Sequence, residues 1–221
     1  MTLAPRENFE KNLSELQGKL VEMVDLTTNI IELSFTALKS QNVELALKVI
    51  ENDNEIDDLE NEINQMAIWL MAKEQPVARD LRRIVSIIKI SAGIERIADF
   101  AVNIAKSTIM IGKQPSLLDL SQLEQMKITG VMMLKKAIES FTNEDINLAK
   151  EVGDLDDKVD DMNKETYETL TQYLKTHADD TEQLVQMLFV NRYLERIADH
   201  VTNIAESTAY LIKGQIYDFN H

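Results

Sequence analysis

Apolar residues recur at three- and four-residue steps along nearly the whole of this 221-residue chain. Leu13, Leu16, Leu20, Met23, Val24, Ile30, Ile31 and Leu38 set the pattern, which is that of one helix face and not the alternation of a strand. Interruptions are few. Ser40-Gln41-Asn42 closes a first helix, and Pro76, after Lys73-Glu74-Gln75, suits the first turn of another. Gly112 followed by Pro115 is a strong stop, and Thr142-Asn143-Glu144 and Thr176-His177-Ala178-Asp179-Asp180 are weaker, capping-rich breaks. The spacing therefore predicts helices over 6–40, 43–73, 77–111, 117–141, 145–175 and 181–213. Six long helices with short connections predict an all-α fold of antiparallel bundles. Only nine residues are Gly or Pro, too few for the turns of an all-β or loop-rich fold.

The chain also repeats itself. Residues 95–108 align without gaps on 195–208, at an offset of 100, with ten of 14 positions identical. The shared residues include Glu95/Glu195, Arg96/Arg196, Ile97/Ile197, Ala98/Ala198, Asp99/Asp199, Asn103/Asn203 and Ser107/Ser207. Earlier in each half the offset is 103, through Ala46/Ala149, Val49/Val152, Asp53/Asp156, Asp57/Asp160 and Asp58/Asp161. Two similar three-helix bundles in tandem follow, residues 1–114 and 115–221. The three-residue difference falls between the second and third helices of each half, so the turn around Gln75-Pro76 is expected to be the longer of the two.

Charge narrows the function classes. The chain has 38 acidic and 23 basic side chains, a formal net charge of −15, which excludes nucleic acid or an anionic membrane as partner because phosphates would be repelled over most of the surface. Residues 1–112 hold 18 acids and 12 bases, so the acidity belongs to both bundles and is not an acidic tail. The absence of Cys removes disulfide frameworks and thiolate metal sites and fits a reducing compartment. Met1-Thr2-Leu3-Ala4-Pro5-Arg6 lacks the apolar core of a signal peptide. The densest apolar run, Ile84 to Ile94, is broken by Lys89 and falls well short of the roughly 20 residues a membrane helix needs. A cytoplasmic protein with no inserted segment is expected. Among the ten methionines, Met132-Met133 and Met187 fit core spacing.

The chemistry lies in the carboxylates. Glu95, Asp99 and Asn103 fall within about 80° of arc on a helical wheel, away from the apolar side of Ile94, Ile97, Ala98, Ala101, Ile104 and Ala105. Asp53 and Asp57 make a similar i, i+4 pair on the preceding helix. In an antiparallel hairpin, residues equidistant from the midpoint stand level. Asp57 with Glu95 and Asp53 with Asp99 both centre on position 76, where Pro76 independently places the break. Asp160 with Glu195 and Asp156 with Asp199 both centre on 177.5, at the Thr176-His177-Ala178 break. Two hairpins with different offsets thus bring the same four carboxylates level. Such a cluster is self-repulsive unless a cation relieves it. Oxygen-only donors with Asn nearby suit Fe³⁺, Mn²⁺, Mg²⁺ or Ca²⁺, whereas Zn²⁺ usually adds nitrogen or sulfur. The alternative neutralisers are Arg96 and Arg196, one beside each stripe, acting as salt bridges.

Enzymatic signatures are missing. No His follows a Glu by three residues, so the Glu-x-x-His of di-iron bundles is not met. A Cys nucleophile, a Gly-rich phosphate loop and a readable Ser–His arrangement are absent as well. His200 either completes a metal shell beside Asp199 or is an ordinary surface His. Arg79, Arg82 and Arg83 share a helix face just after Pro76, and either pair with nearby acids or dock an acidic partner.

The repeated Glu-Arg-Ile-Ala-Asp-x-x-x-Asn-Ile-Ala, together with Gln75-Pro76-Val77-Ala78-Arg79-Asp80-Leu81-Arg82, resembles the PhoU family, the accessory proteins of phosphate-specific transport. The resemblance covers nearly the whole chain, from Arg6-Glu7-Asn8-Phe9 through the second repeat. It implies a cytoplasmic, non-enzymatic, negative regulator of phosphate uptake and phosphate-starvation signalling. Its implied partners are the phosphate ABC transporter and a membrane sensor histidine kinase. It also implies metal clusters, carried here by Asp53, Asp57, Glu95, Asp99 and Asn103 in one half and Asp156, Asp160, Glu195, Asp199 and Asn203 in the other. Divalent or trivalent ions are expected there, iron first, with zinc, manganese or magnesium as alternatives. A homodimer is compatible with the long amphipathic helices. The chain departs from the family pattern at Phe100, where a His commonly follows the motif Asp as His200 does, so the first bundle is expected to bind metal differently. The Pro-x-x-x-Asp-Leu-Arg segment occurs only in the first half. A metal store or a metal-dependent hydrolase built on the same acidic strips is the rival reading, and a scaffold with solvated carboxylates a third.

Overall fold

A computed structural model describes residues 5–112 and 121–215. Among the described residues are six α-helices, α1 (Pro5–Ser40), α2 (Val43–Glu74), α3 (Ala78–Ile111), α4 (Leu123–Asn143), α5 (Ile146–Leu174) and α6 (Thr181–Lys213), with a 3₁₀ turn, Ala178–Asp180, before α6. The breaks read from the sequence end these helices by recognisable means. Asn42 caps α2 by accepting the Leu45 N–H, and Asp145 caps α5 by accepting those of Asn147 and Leu148. Gly112 closes α3 and Gly214 closes α6, both with positive φ. The expected start of α4 at 117 is not met: residues 117–120 lie outside the described residues, and Ser121 and Gln122 are not helical. The Gln122 N–H instead donates to Thr166 Oγ1 at 3.1 Å, fixing the entry to α4 against α5. The proposed bundle boundary at 114/115, with Pro115, also lies outside the described residues.

The turn lengths correct the sequence expectation. Only Gln75–Val77 joins α2 to α3, whereas Lys175–Asp180 joins α5 to α6. The extra residues of the first half are helical: α2 and α3 each run three residues further past the carboxylates than α5 and α6 do. Gln75 makes the short reversal possible by taking the left-handed conformation (φ 47°) while its N–H still reaches Met71 O at 3.1 Å.

Each half is a three-helix bundle, α1–α3 and α4–α6, yet the most extensive helix contact is between α3 and α6. Burial shows why. Fifteen residues are buried in α3 and fifteen in α6, against seven in α2 and six in α5. A helix buried over so much of its circumference is central, so α3 and α6 serve both the core of their own half and the seam. They cross antiparallel: Lys89 lies over the Tyr210 ring, Arg82 against Gly214, and Phe100 against both His200 and Tyr193. The repeated Glu-Arg-Ile-Ala-Asp segments therefore sit at the middle of the crossing. α1 and α4 add a second, smaller seam with Lys39–Glu124 and Lys127–Glu32 ion pairs. Buried apolar residues from Phe9 to Leu211 form one cluster across both halves. Met133 and Met187 belong to it, but Met132, expected in the core, is 41 % exposed because it lies one position away from the apolar stripe of α4. Among the described residues no helix is long and apolar enough to cross a membrane.

Candidate metal centre

The first carboxylate strip lies along the groove between α2 and α3. Asp53 and Asp57 project from an uninterrupted stretch of α2, one turn apart, and Glu95, Asp99 and Asn103 from α3. The level register holds: Asp53 feels the charges of Asp57 and Asp99, and Glu95 feels those of Asp99 and Asp57. Burial is the main cause that pushes the Asp53 carboxyl up to about 6, and the acidic neighbours add to it. Glu95 is pushed up to about 7, again first by burial, with Asp99 adding and Arg96 opposing. Glu60 also faces Glu95 and Arg96. It continues the Asp53–Asp57 stripe at i+7, a spacing that the i, i+4 pairing alone overlooks.

The second strip repeats this between α5 and α6, more deeply. Asp156 is only 6 % exposed, and its Oδ1 has no hydrogen-bond partner. Glu195 Oε2 is likewise buried without a hydrogen-bond partner. Asp156 is pushed up to about 7, by burial first and then by Asp160, Asp199, Asp157 and Glu195. Asp160 and Glu195 move in the same direction, also chiefly by burial, and each feels acids across the groove. Asn203 donates its side-chain amide to Asp199 O at 3.0 Å. His200 packs its ring on Phe100 with centroids 5.6 Å apart, and burial lowers its pKa. Phe100 and His200, equivalent positions at which the repeats differ, thus meet at the α3/α6 crossing.

Arginines partly neutralise both strips. Arg96 lies 2.9 Å from Asp99 and 3.5 Å from Glu95; Arg196 lies 3.2 Å from Asp199 and 4.0 Å from Glu195. Arg192 adds a 2.7 Å contact to Glu195, where the first half has Ala92. Among the described residues no three His, Asp or Glu side chains converge as a ready-made ligand shell. The carboxylates stand level and turn partly toward their arginines. Their chemistry nonetheless fits a hard cation: the donors are carboxylate oxygens from two helices, two of them buried without a hydrogen bond, and burial holds Asp53, Glu95 and Asp156 well above the usual carboxylate range, a cost that a bound positive charge relieves.

The arginine face after Pro76 is engaged within the chain. Arg79 and Arg83 each bond one carboxylate oxygen of Glu144, the residue with φ 53° that closes α4. Arg82 rests against Gly214 at the C-terminal end of α6, where a helix dipole favours a cation. The three residues therefore pin the start of α3 to two ends of the second half. The periodicity of α3 contains no sign of Glu144, some 60 residues away in the chain.

Comparison with known proteins places this geometry. The sequence profile of the PhoU domain matches twice, over residues 20–108 and 123–208, so each match takes in one carboxylate strip. The phosphate-specific transport system accessory protein PhoU homolog of Clostridium acetobutylicum is 35 % identical over 216 residues, covering 97 % of this chain and 99 % of its own. That of Aquifex aeolicus is 36 % identical over 211 residues, covering 96 % of each. The crystal structure of PhoU from Pseudomonas aeruginosa superposes with a TM-score of 0.87 at 30 % identity, over 94 % of this chain and 100 % of that one. The phosphate transport system regulatory protein PhoU from Streptococcus pneumoniae does so with a TM-score of 0.86 at 25 % identity, over 95 % and 99 %. The duplicated domain match and the full-length similarity show that the chain belongs to the PhoU family.

Proposed function

We propose that this protein is a metal-binding regulatory adaptor that holds phosphate uptake and phosphate-starvation signalling in check. It acts in the cytoplasm through contacts with the phosphate ABC transporter and its sensor histidine kinase, and makes or breaks no covalent bond. The regulatory part rests on family membership, since the relatives named above are accessory or regulatory proteins of phosphate transport. The metal part rests on one observation: four level carboxylates occur twice, and in the second strip the buried Asp156 leaves an oxygen without a partner. Asp53, Asp57, Glu95 and Asp99 would hold ions in one half and Asp156, Asp160, Glu195 and Asp199 in the other, with Asn103 and Asn203 at the margins. A bound cation supplies positive charge that cancels carboxylate repulsion and ties α2 to α3 and α5 to α6. The residues themselves do the rest: they fix the register of each hairpin and keep the charge at half-buried positions.

Two measurements separate the parts. Metal analysis of protein purified without chelator is expected to find bound ions in the wild type and clearly fewer in an Asp99→Asn, Asp199→Asn double variant. Wild-type protein that holds no ion under any loading condition sinks the metal part. A strain lacking the gene is expected to express phosphate-starvation genes constitutively at high phosphate, and normal repression there sinks the regulatory part. Oxidative uptake of many Fe²⁺ per chain, or turnover of a phosphoester, would move the reading to storage or hydrolysis.

A further inference from the structure

Each strip already carries cations of its own, Arg96 and Lys106 in the first and Arg192 and Arg196 in the second. In the second half Glu195 Oε1 accepts from Arg192 at 2.7 Å, while Asp199 Oδ2 accepts from Arg196 at 3.2 Å. The remaining oxygen of Glu195, 4.0 Å from Arg196, and one oxygen of Asp156, itself 94 % buried, have no hydrogen-bond partner. The two guanidiniums thus hydrogen-bond one oxygen each of Glu195 and Asp199 and leave the buried oxygens of Glu195 and Asp156 without a hydrogen bond. Arg192 and Arg196 are themselves about half exposed, with side-chain exposures of 51 % and 44 %, so leaving the carboxylates costs them little desolvation. Arg192 has somewhere to go. It lines a groove of about 520 Å³ between α5 and α6 together with Tyr167, Leu188 and Phe189, and aromatic faces there can take up a guanidinium. The first strip has one such arginine, Arg96, because Ala92 stands where Arg192 stands in the repeat, and its other cation is Lys106, whose charge acts on Asp53.

We propose that Arg192 and Arg196, with Arg96 in the other half, are exchangeable counter-ions: they hold the outer carboxylate oxygens in the metal-free protein and swing off when a cation enters. The inference rests on the metal reading above and assigns these arginines a role in setting affinity. A cation that binds must displace them, so they weaken binding while they stabilise the metal-free fold.

The experiment is a titration of the full-length, metal-free protein with Mn²⁺, reading free ion by electron paramagnetic resonance so that affinity and stoichiometry come together. Arg192→Ala, which copies Ala92 of the repeat, is expected to tighten binding roughly threefold to tenfold, the scale of one half-buried ion pair, at unchanged stoichiometry. Arg196→Gln is expected to tighten it similarly. Both variants are expected to melt at lower temperature than wild type without metal and to recover when metal is added. Lys89→Ala removes one positive charge from α3 without touching a strip and is expected to shift affinity far less. Wild-type protein that takes up no Mn²⁺ overturns the metal reading, and the exchange with it. Wild type that binds while Arg192→Ala binds equally or more weakly overturns the exchange alone. So does an equal tightening in Lys89→Ala, which would reduce the effect to overall charge.

Discussion

Asp156 sets the residue-scale problem: a carboxylate that is almost wholly buried, flanked by acids on two helices, with one oxygen unsatisfied. With no cation bound, its most economical state is the neutral acid, and the same holds in part for Asp53 and Glu95. Their folded pKa values, about 6 for Asp53 and about 7 for Glu95 and Asp156, lie above the values of an unfolded chain. Between roughly pH 4 and pH 7 the folded state therefore binds more protons than the unfolded one, and stability falls as pH rises through that window. Metal-free protein is expected to melt higher at pH 5 than at pH 8, with the dependence flattening above about pH 7. Asp156 contributes most, on the order of 1–3 kcal/mol once partial solvent screening is allowed for. Saturating metal should remove the slope, because an ion holds the carboxylates charged. Thermal melts across this pH range, with and without Mn²⁺, check both statements; a metal-free protein that gains stability from pH 5 to pH 8 would contradict them. Most of these residues are legible in the chain, since i, i+4 spacing and a common midpoint place Asp53 level with Asp99 and Asp57 level with Glu95. The bond from Arg79 and Arg83 to Glu144 is not, because no local periodicity relates the start of one helix to the end of another in the other half.

At the scale of elements, helix ends were readable wherever a side chain or a glycine does the capping. Asn42 and Asp145 start helices, and Gly112 and Gly214 end them, at or next to the points where the sequence pattern breaks. The α2–α3 connection is shorter than the repeat offset suggests, because an offset fixes only the number of residues between two points and not whether they extend helices or lengthen a turn. Gln75 in the left-handed region and Pro76 after it convert the extra residues into helix. The two glycines of α3 separate what is structural from what is tolerated. Gly93 is interior to the helix, and a Cβ added there meets nothing within 4 Å. Gly93→Ala is expected to raise stability by about 0.5–1 kcal/mol through helix propensity alone. Gly112 has equal space but sits at φ +65°, so Gly112→Ala is expected to lower stability by about 1 kcal/mol. Urea unfolding of the two variants checks the pair, and a shift of the same sign in both would show that propensity is not what distinguishes them.

At the scale of the molecule, the repeat invites a picture of two independent bundles, and the central helices argue against independence. A bundle that closed its own core would leave the outward side of its third helix polar, as the outer helices α2 and α5 do. Instead α3 and α6 bury fifteen residues each, about twice as many as α2 or α5, and Phe100 of α3 packs against Tyr193 and His200 of α6 while Lys89 covers Tyr210. The tandem arrangement was legible because repetition is a property of the chain. The seam was not, because buried positions that serve a sister bundle and those that serve the home bundle carry the same apolar letters. Splitting the halves would expose the α3/α6 seam, at a cost proportional to the apolar area uncovered. The halves are therefore expected to unfold as one cooperative unit. Trp69, the sole tryptophan, lies on α2 with Lys73 stacked at 4.4 Å, and its fluorescence reports the first half alone. Far-ultraviolet circular dichroism reports both halves. The two signals are expected to give superimposable urea curves with one midpoint, in metal-free protein and again in metal-loaded protein at higher urea. A tryptophan transition that precedes or trails the loss of helix would mean that the seam couples the bundles less tightly than its burial implies, and that metal in one strip can stabilise its own half without informing the other.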